Sequence, residues 1–321
     1  MRFSVIVMDK NIIETGKKIK NMEIRGAAKI GRETARAIKL FCENFSGSKK
    51  DFIKNLKENA RFLVNTRPTA VSLSNSLRYI MRDMDTEMDL ENLRENLIKR
   101  SEKFIELSLS AIKKIGEIGA NRIRDGDRIM THCNSSCALS VIKTAFRKGK
   151  DFEVFARETR PRYQGLLTAE ELCKEGIKTN LIVDSAARYF MADMDLVIIG
   201  ADAVAANGAV VNKIGTSELA LIAKEARVDV IVAAETYKFH PETIAGKLIE
   251  IEERDWREVI SEEKKREIGD IKVRNPAFDV TPPEFIDLIV TEKGIISPQA
   301  AIMILKTEYG WDLDKKDFWE V

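Results

Sequence analysis

The sequence predicts an α/β protein made of an N-terminal all-helical domain, residues 1–124, and a Rossmann-like, doubly wound parallel-sheet domain, residues 125–321. Two observations predict this fold class. The first 124 residues contain long segments with helical spacing and a single proline. Short runs rich in Val and Ile then alternate with helical segments, which is typical of parallel strands buried on both faces. A length of 321 residues also suits about two domains.

The helical domain is predicted from amphipathic spacing. Residues 51–65 place their apolar side chains three or four positions apart, on one face of a helix. Arg67 follows this helix and precedes a proline, which disfavours the α region and ends the helix. The predicted helices are Glu33–Phe45, Asp51–Asn65, Val71–Arg82 and Leu90–Gly119.

The sheet domain begins after Arg124–Asp127, where the character of the sequence changes. The predicted strands are Arg128–His132, Phe152–Ala156, Asn180–Val183, Leu196–Gly200, Val228–Ala233 and Leu288–Val290. The predicted helices between and after them are Ala138–Lys148, Thr168–Glu175, Thr216–Glu225 and Pro298–Glu308. This alternation predicts βαβ units in a parallel sheet.

The composition limits the classes of partner. Lys plus Arg total 53 and Asp plus Glu total 51, so the net charge of +2 gives no support for nucleic-acid binding. No run of about 18 apolar residues occurs. The apolar patch within Met1–Lys10 is short and is followed by charge, so we expect a cytoplasmic protein that makes no membrane contact. Its four cysteines are then expected to be reduced.

The stretch Ile129–Cys137 is the first candidate for chemistry. It predicts a strand that ends at Cys133, followed by the polar residues Asn134–Ser136 and a helix. Ligands of open α/β sheets bind at the carboxyl ends of strands, and a helix N-terminus attracts anions. The same helix end should lower the pKa of the Cys133 thiol. The alternative is a buried structural cysteine.

Asp202 is the second candidate, because it follows the apolar strand Leu196–Gly200. If that strand lies next to Arg128–His132, Asp202 and Cys133 face one cleft and can act as an acid–base pair. Alone, Asp202 is better explained as a turn or N-cap residue, and its pairing with Cys133 is what favours a catalytic role.

The segment Asn207–Thr216 is the third candidate. Asn207 and Gly208 mark a tight turn. Lys213 precedes a helix N-terminus, which suggests a phosphate contact. A hairpin followed by a capped helix remains the alternative.

Other signals are weaker or missing. Arg160, Arg162 and Lys238 follow predicted strands and could face the same cleft. No Walker A loop or Gly-x-Gly-x-x-Gly motif occurs, so neither ATP nor NAD is expected as a cofactor. Cys133 and Cys137 are separated by three residues and no second cysteine pair exists, so no metal site is expected.

These features together resemble the family of aldose-phosphate isomerases and initiation-factor-2B-like regulatory subunits. The motifs that carry the resemblance are Ile24–Ala28, Thr66–Ala70, Thr131–Ser135, Gly200–Asp202 and Asn207–Thr216. The similarity runs over nearly the whole chain, from about Lys10 to Trp311. Within the family the sequence is similar to archaeal isomerases of ribose 1,5-bisphosphate, and Asp184–Ala187, Glu235–Pro241 and Asn275–Pro283 strengthen that similarity.

The resemblance implies conversion of α-D-ribose 1,5-bisphosphate to D-ribulose 1,5-bisphosphate in archaeal AMP degradation, with no cofactor or metal. It implies that Cys133 and Asp202 are the catalytic pair, which moves protons between C2 and C1 after the ring opens; a hydride shift is the competing mechanism. The substrate-binding residues would be Arg25, Gly26, Ala27, Ala28, Arg67, Ser135, Ser136, Cys137, Asn212, Lys213 and Lys238. Two basic clusters among them would hold the two phosphates.

The resemblance also implies a homo-oligomer, either a dimer or a hexamer assembled from dimers, and makes AMP a candidate activator. Methylthioribose-1-phosphate isomerases usually carry a glycine shortly after the Cys-Asn pair, where Ser135 and Ser136 stand here. Regulatory subunits commonly lack the cysteine and the aspartate. Both differences favour the bisphosphate isomerase, with the other two family functions as alternatives.

Overall fold

The computed structural model describes residues 8–82, 84, 87–246, 248–309 and 317–319. The chain separates into two compact units. The first comprises the described residues of Met1–Ser110 and Trp311–Val321, and the second comprises those of Ala111–Gly310. Most of the apolar patch predicted within Met1–Lys10 lies outside the described residues.

The first unit is helical, as predicted. Its helices are α1 (Lys10–Lys20), α2 (Ala27–Asn44), α3 (Lys49–Thr66), α4 (Val71–Met81) and α5 (Leu90–Gly119), the last of which continues into the second unit. Asp9 and Ser48 cap α1 and α3 by accepting backbone N–H groups with their side chains. The core includes Phe41 stacked on Phe52, with ring centroids 5.4 Å apart. Among the described residues, no helix combines the length and the apolar character that crossing a membrane requires.

The second unit alternates strands and helices. The strands are β1 (Arg128–Thr131), β2 (Glu153–Arg157), β3 (Lys178–Ile182), β4 (Leu196–Gly200), β5 (Ala203–Val204), β6 (Val210–Lys213), β7 (Asp229–Ala233), β8 (Phe278–Thr281), β9 (Leu288–Thr291) and β10 (Gly294–Ile296). The helices are α6 (Ser136–Arg147), α7 (Gln164–Lys174), α8 (Ala187–Met191), α9 (Thr216–Ala226), α10 (Glu262–Ile268) and α11 (Ala301–Tyr309).

The main sheet has the strand order β10-β9-β7-β4-β1-β2-β3 and is parallel except for the antiparallel β10. The chain runs outward from β1 to β2 and β3, then returns to the other side of β1 to form β4 and β7. The α/β fold class and the predicted parallel sheet are therefore confirmed. The direction of winding reverses between β1 and β4, which is the place where doubly wound sheets bind their ligands.

A second sheet, with the order β5-β6-β8, was not predicted. The turn at Asn207 and Gly208 joins β5 to β6 as an antiparallel hairpin, so the hairpin alternative describes this segment. The helix predicted over Pro298–Glu308 begins as a 3₁₀ turn, and α11 starts only at Ala301. Because Pro298 lacks an N–H and occupies the first position of that turn, it fits there without a lost hydrogen bond.

The boundary between the units falls inside α5. The sequence places the domain boundary after residue 124, where the secondary structure changes from helical to alternating. Compactness divides the chain after Ser110 instead, because Ile115 on α5 packs with Ile129 and Ile142 in the core of the second unit. We keep residues 125–321 as the proposed catalytic domain.

Candidate functional site

Cys133 follows His132, the first residue after β1, and has a left-handed backbone conformation, with φ of 67°. Such a conformation costs about 1–3 kcal/mol in a residue other than glycine and persists only where the surroundings enforce it. At Cys133, two threonine hydroxyls enforce this conformation. The Cys133 N–H donates to Thr159 Oγ1 at 2.9 Å, and Thr168 Oγ1 donates to the Cys133 carbonyl at 2.7 Å. The backbone that carries the thiol is thus fixed from both sides.

His132 is buried and supports the same region. Its Nε2 donates to the Ile214 carbonyl at 2.8 Å, and its Nδ1 lies 3.3 Å from Thr159 Oγ1. Burial and the nearby Arg157 charge lower the pKa of His132 to about 4. The neutral ring therefore anchors the Ile214 backbone beside the Cys133 loop.

The thiol of Cys133 does not have the lowered pKa expected from a nearby helix N-terminus. Burial raises the pKa of this thiol to about 11. The charges of Lys213 and Arg254 lower that pKa, and the charge of Asp202 raises it. The expectation was wrong because desolvation of the thiolate outweighs every favourable charge.

Asp202 lies at the start of the connection from β4 to β5, and β4 pairs directly with β1. The condition for Asp202 and Cys133 to face one cleft is therefore met. The Asp202 N–H donates to the Val211 carbonyl at 2.9 Å, which ties this position to β6. The catalytic role of the two side chains as an acid–base pair remains a prediction.

The N-terminus of α6 lies against the end of β4. Ser135 is the N-cap and accepts the Ala138 N–H with Oγ at 3.4 Å, while Ser136 and Cys137 form the first turn. A Cβ atom added to Gly200 would lie only 2.2 Å from Ser135 Oγ, so the glycine allows this close approach. Cys137 is fully buried, and burial together with Glu235 raises the pKa of its thiol well above the ordinary value.

Lys238 is buried and pairs with Glu235 beyond the end of β7. Its Nζ lies 2.7 Å from Glu235 Oε2, and Tyr237 donates its hydroxyl to Glu235 Oε1 at 2.8 Å. Burial alone would lower the pKa of Lys238, but the Glu235 carboxylate holds it above its ordinary value, and Asp202 adds to this effect. The predicted phosphate ligand is thus a charged ammonium that already has a carboxylate partner.

Asn212 and Lys213 are buried on β6, on the second sheet. Asn212 Nδ2 donates to Thr216 Oγ1 at 3.1 Å, and Lys213 Nζ donates to the Ala277 carbonyl at 3.1 Å. Asp279 accepts the N–H groups of Gly215 and Ser217 at 2.7 and 3.1 Å. The first turn of α9 is therefore capped by a carboxylate.

The remaining predicted substrate-binding residues belong to the first unit. Gly26, with φ of 82°, is the N-cap of α2 and provides no capping side chain, and Ala27 and Ala28 open that helix. Arg25 is exposed, and Arg67 is the C-cap of α3. Their part in phosphate binding remains a prediction.

Three polar residues of the site were not singled out from the sequence. Thr159 and Thr168 hold the Cys133 backbone, and Arg254 influences the Cys133 thiol. None lies in a recognisable spacing, and only the position of Thr159 just beyond β2 gives a signal. Across the described residues, no three His, Cys, Asp or Glu side chains cluster as metal ligands.

Comparison with known proteins places the chain in one family. The initiation factor 2 subunit family matches residues 23–298. A ribose 1,5-bisphosphate isomerase from Pyrococcus furiosus is 54% identical over 317 residues, covering 97% of this chain and 98% of the relative.

Two solved structures from Pyrococcus horikoshii share the fold. A translation initiation factor eIF-2B has a TM-score of 0.78 and 34% identity, with 92% of this chain and 100% of that one covered. A 5-methylthioribose 1-phosphate isomerase has a TM-score of 0.75 and 32% identity, with 93% and 87% covered. The chain therefore belongs to the initiation factor 2 subunit family, and within that family it is an enzyme of the sugar isomerase type.

Proposed function

We propose that this chain converts α-D-ribose 1,5-bisphosphate to D-ribulose 1,5-bisphosphate. The observation that carries the proposal is the placement of Cys133 and Asp202 after adjacent strands, where the winding of the sheet reverses. The buried cations Lys213 and Lys238 supply positive charge for an anionic substrate. The similarity to isomerases named for this bisphosphate supports the choice of substrate.

The reaction begins with ring opening, because a sugar phosphorylated at C1 has no free aldehyde. Asp202, as the carboxylic acid, donates its proton to the ring oxygen as the bond from C1 to that oxygen breaks. The electron-deficient C1 acidifies the hydrogen at C2, and the Cys133 thiolate removes it. The product of this step is an enol that carries the phosphate at C1.

The second half returns both residues to their starting states. Asp202, now a carboxylate, takes the proton of the C2 hydroxyl, which forms the ketone. Cys133 gives the hydrogen taken from C2 to C1. One hydrogen has moved from C2 to C1 and one from the C2 hydroxyl to the former ring oxygen, so atoms and charges balance.

The charges around Cys133 modify the effect of burial, which by itself favours the neutral thiol. The Asp202 charge raises the pKa of the Cys133 thiol, so a proton on Asp202 removes an influence that opposes the thiolate. Lys213 and Arg254 lower the same pKa. A proton on Asp202 and a thiolate on Cys133 therefore support each other.

The two phosphates need separate anchors. The N-terminus of α6, with Ser135 and Ser136, offers backbone N–H groups for one, together with the nearby cations. Arg25–Ala28 and Arg67 are proposed as further phosphate ligands. We also propose that the enzyme acts as a homo-oligomer in the cytoplasm, in AMP degradation, with AMP as a candidate activator.

A turnover assay with two sugars tests the proposal. The purified protein is incubated separately with α-D-ribose 1,5-bisphosphate and with 5-methylthioribose 1-phosphate, and the products are followed by ³¹P NMR. We expect a strong preference for the bisphosphate. A preference for 5-methylthioribose 1-phosphate would identify that sugar as the substrate in place of the bisphosphate. Turnover of neither sugar would favour a regulatory subunit.

Two variants with matched controls test the catalytic pair. Cys133→Ser and Asp202→Asn should abolish turnover, whereas Cys173→Ser and Asp229→Asn, at exposed positions, should retain it. Full activity in either catalytic variant contradicts the assigned roles.

A further inference from the structure

The segment between β7 and β8 holds an arginine, Arg254, whose side chain is largely buried and which the mechanism above uses only through its charge. The Arg254 N–H donates to the Asn275 carbonyl at 2.9 Å, and Glu253 forms a β-bridge with Pro276. The Arg254 side chain is only 8% exposed. The guanidinium is therefore held in a fixed place.

Arg254 shares an aromatic ring with Lys213. The Arg254 guanidinium carbon lies 5.7 Å from the centroid of the Phe278 ring, and Lys213 Nζ lies 4.6 Å from it. The side chain of Lys213 is also buried. Both cations therefore lie near the Phe278 ring, and each of them attracts an anion.

The guanidinium keeps hydrogen-bonding capacity for a ligand. Its Nε pairs with Glu252 Oε1 at 3.1 Å. No described residue accepts a hydrogen bond from its Nη1 or Nη2. A rigid fork of N–H donors matches the oxygens of a phosphate.

This pair of cations lies in the neighbourhood of the Cys133 thiol. The hydrogen bond from His132 to the Ile214 carbonyl joins the residue before Cys133 to the residue after Lys213. Consistent with this, the charges of both Lys213 and Arg254 lower the pKa of Cys133.

We propose that Arg254 and Lys213 form a phosphate subsite around Phe278, in which Arg254 binds one phosphate of the sugar bisphosphate directly. This inference rests on the proposed function for the identity of the substrate. It adds a substrate-binding residue on a segment in which no sequence motif indicates ligand binding.

The test replaces Arg254 and measures both substrate and inorganic phosphate. A charge-assisted hydrogen bond of typical strength corresponds to about 10- to 100-fold in affinity. Arg254→Gln should therefore raise KM for ribose 1,5-bisphosphate, and the dissociation constant for inorganic phosphate measured by calorimetry, by about that factor. Arg254→Lys, which keeps the charge but loses the fork, should fall between the wild type and Arg254→Gln.

Arg257→Gln is the matched control. Arg257 lies on the same segment and also over a ring, 4.9 Å from the centroid of Trp256, but it is exposed and already pairs with Asp255 and Glu262. Arg257→Gln should leave KM for ribose 1,5-bisphosphate and the dissociation constant for inorganic phosphate within about twofold of the wild type. Unchanged constants in Arg254→Gln, or equal effects of Arg254→Gln and Arg257→Gln, would overturn the subsite.

Calorimetry separates this inference from the proposed reaction, because phosphate binding does not require turnover. Phosphate binding that is weakened by Arg254→Gln, in a protein that isomerises neither sugar, would support the subsite and refute the reaction. If Arg254→Gln fails to fold, the phosphate affinity of Arg254→Lys is compared with that of Arg257→Gln instead. An unchanged phosphate affinity in Arg254→Lys would overturn the proposed contact between the Arg254 guanidinium and phosphate.

Discussion

The thiol of Cys133 should be unreactive at neutral pH in the absence of substrate. Burial raises its pKa to about 11 from an ordinary value of 9.0. Each pKa unit reduces the thiolate fraction about tenfold, so at pH 8 Cys133 should hold about 100-fold less thiolate than an ordinary thiol. Because the thiolate is the nucleophile, its alkylation by iodoacetamide should be slower by about the same factor.

Peptide mass spectrometry can follow the alkylation of Cys133 and of the exposed Cys173 in the same sample. The rate at Cys133 should still be rising at pH 10. Asp202→Asn should speed the reaction at Cys133, since the Asp202 charge raises the pKa of that thiol. Alkylation of Cys133 at pH 8 as fast as that of Cys173, or a slower reaction in Asp202→Asn, would refute this account of the electrostatics.

Three further predictions concern the residues that support the site. Thr159→Val and Thr168→Val should each lower kcat and destabilise the fold by about 1–3 kcal/mol, because a backbone group of Cys133 loses its hydrogen-bond partner. Thr159→Ser and Thr168→Ser should restore both kcat and stability. Equal losses in the valine and serine variants would contradict the role of the hydroxyls. Glu235→Gln should destabilise the protein by about 3–5 kcal/mol in urea unfolding, since it breaks a buried ion pair. Glu225→Gln, at an exposed ion pair, should cause little change, and similar losses in the two variants would contradict this prediction. His132 is protonated near its ordinary pKa of 6.5 in the unfolded chain but only near 4 in the folded chain, so a pH between these two values favours unfolding. His132→Gln should therefore lose less free energy of unfolding between pH 7 and pH 4.5 than the wild type. An unchanged dependence of stability on pH would show that another group dominates.

The sequence predicted the main sheet because its strands are continuous apolar runs. Leu196–Gly200 has the predicted bounds, since every one of its residues is buried. The strands β5 and β6 were missed for the opposite reason. The first has two residues and the second ends in the polar Asn212 and Lys213, so neither forms an apolar run.

The site was predictable where it follows strand ends. Cys133 and Asp202 were identified because each ends an apolar run, and only the strand order was needed to bring them together. Arg254 was not identified as a candidate site residue, because the feature that marks it is its packing on Phe278, which is distant in sequence. The pKa of Cys133 was predicted in the wrong direction because the sequence indicates the helix that follows but not the burial of the thiol.

The central claim is that Cys133 carries the C2 hydrogen of a sugar bisphosphate to C1 as a proton. Ribose 1,5-bisphosphate labelled with deuterium at C2 tests it directly, when the wild-type protein converts it in ordinary water and the product is analysed by NMR. The account predicts ribulose 1,5-bisphosphate in which part of the hydrogen delivered to C1 comes from solvent, since a proton held on a thiol can exchange. Absence of product, or complete retention of the deuterium at C1 as in a hydride shift, would contradict it.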